Sequence, residues 1–254
     1  MTRLAALLAF TAVLAACGGT IDESVPDQAP PLLDRAALQS PAPAGAVEAA
    51  DGRSAFAVAG GEVRRYSTVT GKVVRTYPLK GRWSLTAISA TGAWLALRRG
   101  DTEVLVLDGE TGKEAKRVRL DGDFRVEAVS AQGDFLFLQQ DFVDGSYAVR
   151  GYDLAAGRLL PGSLGRKGKT VRMQGDAGQV VASPDGRWLL TVYVETTTNT
   201  AFVHALNLIE RNAICLVLPP CETCDAEDWT LDLAADNRTL RASNGDGADA
   251  TFRL

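Results

Sequence analysis

Residues 89–113, SATGAWLALRRGDTEVLVLDGETGK, decide the fold. A tight turn at Ala90-Thr91-Gly92-Ala93 leads into an apolar run, Trp94-Leu95-Ala96-Leu97. A polar turn at Arg99-Gly100-Asp101 leads into a second run, Glu103-Val104-Leu105-Val106-Leu107-Asp108, which stops at Glu110-Thr111-Gly112-Lys113. Short runs of Val, Leu and Trp bounded by Gly and Asp are strand signals, not helix signals. One such hairpin has two unpaired edges and little to pack on, so it requires copies of itself.

The copies are there. The turn that follows the first strand of each repeat recurs as Asp51-Gly52-Arg53, Thr91-Gly92-Ala93, Gln132-Gly133-Asp134, Asp185-Gly186-Arg187 and Asp236-Asn237-Arg238, at spacings of 40, 41, 53 and 51. Gly or Asn occupies the place where such a turn needs positive φ. The strands that follow include Ala55-Phe56-Ala57-Val58, Phe135-Leu136-Phe137-Leu138, Trp188-Leu189-Leu190-Thr191 and Thr239-Leu240-Arg241-Ala242. A second turn series, Thr70-Gly71-Lys72, Thr111-Gly112-Lys113 and Ala156-Gly157-Arg158, with Arg211-Asn212 as a degraded fourth copy, separates the third and fourth strands. Repeats near forty residues with four strands apiece are the signature of β-propeller blades. The expected fold is all-β, a propeller of about five four-stranded blades over residues 45–254.

The patterns D-x-x-T-G-K and S-x-x-G-x-x-L resemble the YVTN, WD40-like and quinoprotein-type propeller repeats, although the Trp-Asp and Gly-His pairs of strict WD40 repeats are absent. The resemblance implies architecture. It also implies an alternative function, because quinoprotein-like propellers carry cofactors and catalysis in the central channel.

The last repeat holds only three strand-like runs, Asp228–Leu233, Arg238–Ala242 and Asp249–Leu254. Propellers commonly borrow a strand from the other terminus to remove an exposed edge. The apolar patch Leu32–Leu38 is the expected donor, and closure by dimerisation is the alternative.

Residues 1–16 read as a signal peptide: a short positive start at Arg3, then an apolar stretch, Leu4 to Leu14, too short to span a bilayer. The sequence Leu14-Ala15-Ala16-Cys17 resembles the lipobox of bacterial lipoproteins. That resemblance implies diacylglyceryl and acyl chains on Cys17, hence a lipid-anchored protein of the bacterial envelope; an ordinary secretory signal is the alternative. Residues 17–44, with Pro26, Pro30, Pro31, Pro41 and Pro43, read as an extended tether.

Chemistry is sparse. A net charge of −4 argues against nucleic acid as a partner. Arg166, Lys167, Lys169 and Arg172 form the densest basic run, in a loop inserted between the third and fourth repeats; it is either a solvated loop or a site for an anionic partner. The same stretch ends in Gly168-Lys169-Thr170, but Ser163 stands where a phosphate-binding loop needs glycine. His204, the single histidine, reads as a partly buried strand residue without a nucleophile beside it. Cys215, Cys221 and Cys224 suit a structural disulfide at the Pro219-Pro220 turn, Cys215 pairing with Cys221 or Cys224. No catalytic set, metal site or cofactor is expected, and Asn244-Gly245-Asp246-Gly247 reads as a hairpin turn. The expected function is a non-enzymatic, membrane-anchored module that binds a protein or an envelope component.

Overall fold

The computed structural model describes residues 43–164, 169–195, 197–220 and 225–254. Each repeat folds as its own antiparallel meander. The first sheet is β1 (Val47–Glu48), β2 (Ser54–Ala59), β3 (Glu62–Ser67) and β4 (Val73–Pro78). The second is β5 (Ser84–Ile88), β6 (Trp94–Arg99), β7 (Glu103–Asp108) and β8 (Glu114–Arg119). The third is β9 (Phe124–Val129), β10 (Phe135–Asp141), β11 (Tyr147–Asp153) and β12 (Arg158–Leu159). The fourth is β13 (Asp176–Ala182), β14 (Trp188–Glu195), β15 (Thr200–Asn207) and β16 (Asn212–Val217), and the fifth is β17 (Trp229–Leu233), β18 (Thr239–Asn244) and β19 (Asp249–Arg253). A 3-10 turn, Ala226–Asp228, precedes β17.

The turn chemistry accounts for the meanders. Gly52, Gly92, Gly133 and Gly186 all have φ near +70°, and Asn237 takes 55° in the fifth copy. In the second series Gly71, Gly112 and Gly157 are left-handed as expected, but in the fourth sheet Arg211 takes the position (φ 57°), not Asn212. Its guanidinium donates to Asp134 at 2.6 Å and lies 4.6 Å from the Phe135 ring centre, contacts to the third sheet that offset the backbone strain.

The sheets stack face to face in sequence order. Phe56, Val63 and Tyr77 of the first pack on Leu95, Leu97, Leu105 and Leu107 of the second. Ala96, Val104 and Val106 then meet Val126, Leu136 and Leu138 of the third. Phe135, Phe137 and Val149 meet Tyr193, Phe202 and Leu206 of the fourth, and Leu190, Val192 and Val203 meet Trp229, Leu231 and Leu240 of the fifth. The continuous apolar runs follow from this arrangement: Leu95 and Leu97 face one neighbour while Ala96 faces the other. The fifth sheet returns to alternation, with Trp229, Leu231 and Leu233 buried and Thr230 and Asp232 exposed. Its far face is therefore polar. These stacked meanders, with the first strands of the first four sheets lining one cavity, make a β-propeller. The proposed strand donor Leu32–Leu38 lies outside the described residues, as do the signal and lipobox positions including Cys17.

Candidate functional site

The innermost strands carry a recurrent irregularity. In β5, Leu85 pairs with Leu97 and Ala87 with Ala96, so Thr86 is extra. In β9, Val126 pairs with Leu138 and Ala128 with Phe137, so Glu127 is extra. In β13, Ala177 pairs with Tyr193 and Val180 with Thr191, which sets Gly178 and Gln179 against Val192 alone. A bulge frees one residue from the ladder and re-aims its side chain. Thr86, Glu127 and Gln179 all line one cavity of about 850 Å3, with the rest of its inner wall drawn from Val47 and Glu48 of β1, Ala87, Ala128 and Val180–Ala182. Each of three consecutive blades thus presents one polar side chain to the axial cavity.

Each is fixed differently. The Thr86 hydroxyl donates to the Ala96 carbonyl at 3.0 Å. Gln179 Oε1 accepts from the Leu231 N–H at 2.6 Å and ties the fourth blade to the fifth. Glycine at 178 is needed because a Cβ there would stand 2.1 Å from the Ala226 carbonyl oxygen. Glu127 is closely surrounded by protein, and burial pushes its carboxyl up to about 7, with Arg125 and the Tyr193 hydroxyl acting in the opposite sense.

Behind Glu127 a polar seam runs between the third and fourth blades. Arg125 donates through Nε and a terminal nitrogen to Asp141 at 2.8 and 2.9 Å, a two-point pair that holds the guanidinium in its charged form. Gln139 Nε2 donates to Asp141 at 2.6 Å, and the Tyr193 hydroxyl donates to Gln139 Oε1 at 3.3 Å. Tyr193 stacks between Tyr147 and Phe202, with ring centres 4.9 and 5.6 Å away. Burial raises both tyrosines well above the usual phenol range, with the two hydroxyls set against one another. His204 lies edge-on to Tyr193 at 6.3 Å and is 2% exposed, which lowers its pKa to about 4 and keeps it neutral. Chemically, the arrangement offers a carboxyl that changes charge near neutrality, held against a phenol and within reach of the axial cavity.

The residues singled out from sequence lie elsewhere. Lys169 is exposed; Arg172 pairs with Asp144 at 2.7 Å and lies over the Phe142 ring at 3.9 Å, and neither lines the axial cavity. Arg166 and Lys167 lie outside the described residues. Cys215, opposite His204 on β16, is disulfide-bonded, and Cys221 and Cys224 lie outside the described residues. Asn244 Oδ1 accepts from the N–H groups of Asp246 and Ala248, closing a hairpin turn. Among the described residues no cluster of three metal-ligating side chains occurs, and no helix is long and apolar enough to cross a membrane.

Thr86, Glu127 and Gln179 were missed by sequence reasoning. A bulge residue has no compositional mark, and the extra position appears only as a slip in alternation.

The class is thus a β-propeller with a polar-studded axial cavity. No protein-family model matches the chain, and no curated protein matches it. Among solved structures, the hydrazine synthase of Kuenenia stuttgartiensis is similar at 14% identity over 84% of this chain and 80% of its own, with a TM-score of 0.41. The Cps50 (Swd1) β-propeller domain from Myceliophteria thermophila is similar at 16% identity and a TM-score of 0.47, over 83% of this chain and 65% of its own. At such identities the assignment to the propeller class rests on this chain's own five meanders.

Proposed function

We propose that this chain is a non-enzymatic binding module of the bacterial envelope, held on a bilayer by an acylated Cys17, which docks a protein or an envelope component at the blade face around the axial cavity. The observation that carries the reading is the cavity of about 850 Å3 whose wall combines small apolar residues such as Ala87, Ala128 and Val180–Ala182 with Glu48, Asp51 and Ser183, and receives further polar groups from bulges at Thr86, Glu127 and Gln179. Such a wall offers shape and a few oriented hydrogen-bonding groups, which is what recognition needs. The lipobox sequence supports the address, and two or three acyl chains suffice for stable anchoring.

The test is crosslinking and affinity capture of the anchored protein from its own membrane, beside Cys17→Ala and Gln179→Lys forms. The reading expects one partner, recovered with the wild-type and Cys17→Ala proteins and lost with Gln179→Lys. Recovery unchanged by Gln179→Lys rules out the cavity as the docking place.

A second reading, an extracytoplasmic enzyme or cofactor-binding propeller, is favoured by one observation: a carboxyl near pKa 7 beside the Tyr193 phenol, a pairing suited to proton transfer. Turnover, or a stoichiometric cofactor, that disappears on Glu127→Gln would establish it.

A further inference from the structure

A second cavity, of about 420 Å3, opens in the groove between the fourth and fifth blades and shares only the body of Trp188 with the axial one. The register builds it. Trp188 of β14 lies opposite Asn207 of β15, which lies opposite Asn212 of β16, so the three side chains stand in a row on the face turned to the fifth blade. Arg187 precedes that row. Arg238, just before β18, and Arg253, paired with Thr239 on β19, close the groove from the fifth blade, and the Leu254 N–H donates to the Arg238 carbonyl at 2.6 Å.

The wall is rich in donors. Arg187 pairs with Glu210 at 3.2 Å; Arg238 and Arg253 form no ion pair among the described residues, although Asp236 lies close enough to Arg253 to feel its charge. Trp188 is 7% exposed, and its indole N–H is buried with no acceptor among the described residues. Asn207 is 3% exposed; its Oδ1 accepts from the N–H groups of Ile209 and Glu210 at 3.1 and 2.9 Å, leaving its Nδ2 as a donor on the cavity wall. Facing these donors, the acidic side chain on the wall is Glu210, already engaged by Arg187 and Asn212. An indole N–H left without an acceptor, beside three arginines, marks a place that an acceptor-rich group would complete.

We propose that this groove binds a phosphate group. Donors come from five side chains on two sheets and so approach from different sides, which suits a tetrahedral oxyanion with three or four acceptor oxygens better than a planar carboxylate with two. Arg238 and Arg253 carry the charge recognition; Trp188 and Asn207 supply oriented neutral donors. The phosphate could come from a free phosphorylated solute or from a phospholipid headgroup, and the two are separable.

The experiment uses the full chain with Cys17→Ala, so that acyl chains contribute nothing, titrated with inorganic phosphate at constant ionic strength and followed by calorimetry and tryptophan fluorescence. The same protein is then co-sedimented with phosphatidylglycerol vesicles and, as a control, phosphatidylcholine vesicles. The comparison protein adds Arg238→Gln and Arg253→Gln, two exposed positions whose neutralisation should leave the urea midpoint in place. The expected result is saturable binding of phosphate, weakened at least about tenfold in the doubly neutralised protein. Vesicle binding lost on the same two substitutions, with phosphate silent, supports the site with a lipid headgroup as its source. No saturable response in either arm, or binding equally strong without the two arginines, overturns the proposal.

Discussion

Replacing Gly133 by alanine tests the blade stacking directly. Gly133 holds φ +69°, and a Cβ built on it would stand 2.3 and 2.4 Å from two atoms of the Trp94 ring, on the preceding blade. Gly157 has nearly the same backbone (φ +67°), yet a Cβ there meets nothing within 4 Å. Forcing alanine into the left-handed region costs about 1–2 kcal/mol at either position. The clash with Trp94 adds about 1–3 kcal/mol at Gly133 alone, because an indole held between two sheets yields little. Gly133→Ala is therefore expected to lose about 2–5 kcal/mol and Gly157→Ala about 1–2 kcal/mol. Urea unfolding of the full chain, followed by circular dichroism with the slope checked for constancy, measures both. Adding Trp94→Ala to Gly133→Ala removes the clash, so the double variant should lose less than the two single losses together. Equal losses for the two glycines, or strict additivity with Trp94→Ala, would refute the packing of the third blade's turn on the second blade's tryptophan.

Acid dependence should be shaped by two opposed groups. The Glu127 carboxyl, raised from 4.5 to about 7, stabilises the fold at low pH and loses that contribution as pH rises through this window; His204, lowered from 6.5 to about 4, stabilises at high pH and loses its contribution as pH falls. Between these limits the slopes offset each other, so Glu127→Gln should uncover a loss of stability on acidification from neutrality, at most about 1.4 kcal/mol per pH unit, and a flat urea-midpoint profile in that variant would contradict the assignment. Arg211→Ala should cost about 1–2 kcal/mol through the lost Asp134 and Phe135 contacts, whereas Arg211→Gly relieves the left-handed backbone and should cost less; equal midpoints would refute the strain argument. Gly178→Ala places a methyl against the Ala226 carbonyl and should destabilise by at least about 2 kcal/mol, with near-native stability as the contrary outcome.

The fold was readable because turns obey backbone stereochemistry. Gly52, Gly92, Gly133, Gly186 and Asn237 stand at left-handed positions, as their residue types require. The strand limits at Trp94 and at Glu103–Asp108 follow from the same punctuation. The fully apolar runs were also legible, since a blade between two others buries both faces. The candidate site was not. Arg125-Val126-Glu127-Ala128-Val129 reads as an ordinary alternating strand, and only the slip in pairing with β10 turns Glu127 toward the axis. The seam behind it joins residues of two repeats, Gln139 and Tyr193, whose proximity depends on blade stacking and has no local sign. The groove between the fourth and fifth blades is likewise assembled from separate turns, which a search for clustered basic residues passes over in favour of the run at 166–172.

The bulges carry one more implication. A side chain at position 86, 127 or 179 has no opposite number across the ladder, so changing it disturbs no cross-strand pair. Those three places can vary without shifting strand register, provided that a replacement at 179 keeps an acceptor for the Leu231 N–H that ties the fourth blade to the fifth. Related chains could in principle keep identical blades and diverge in what they recognise, and an engineer could rewrite the lumen of this propeller by substituting three residues without redesigning a single strand.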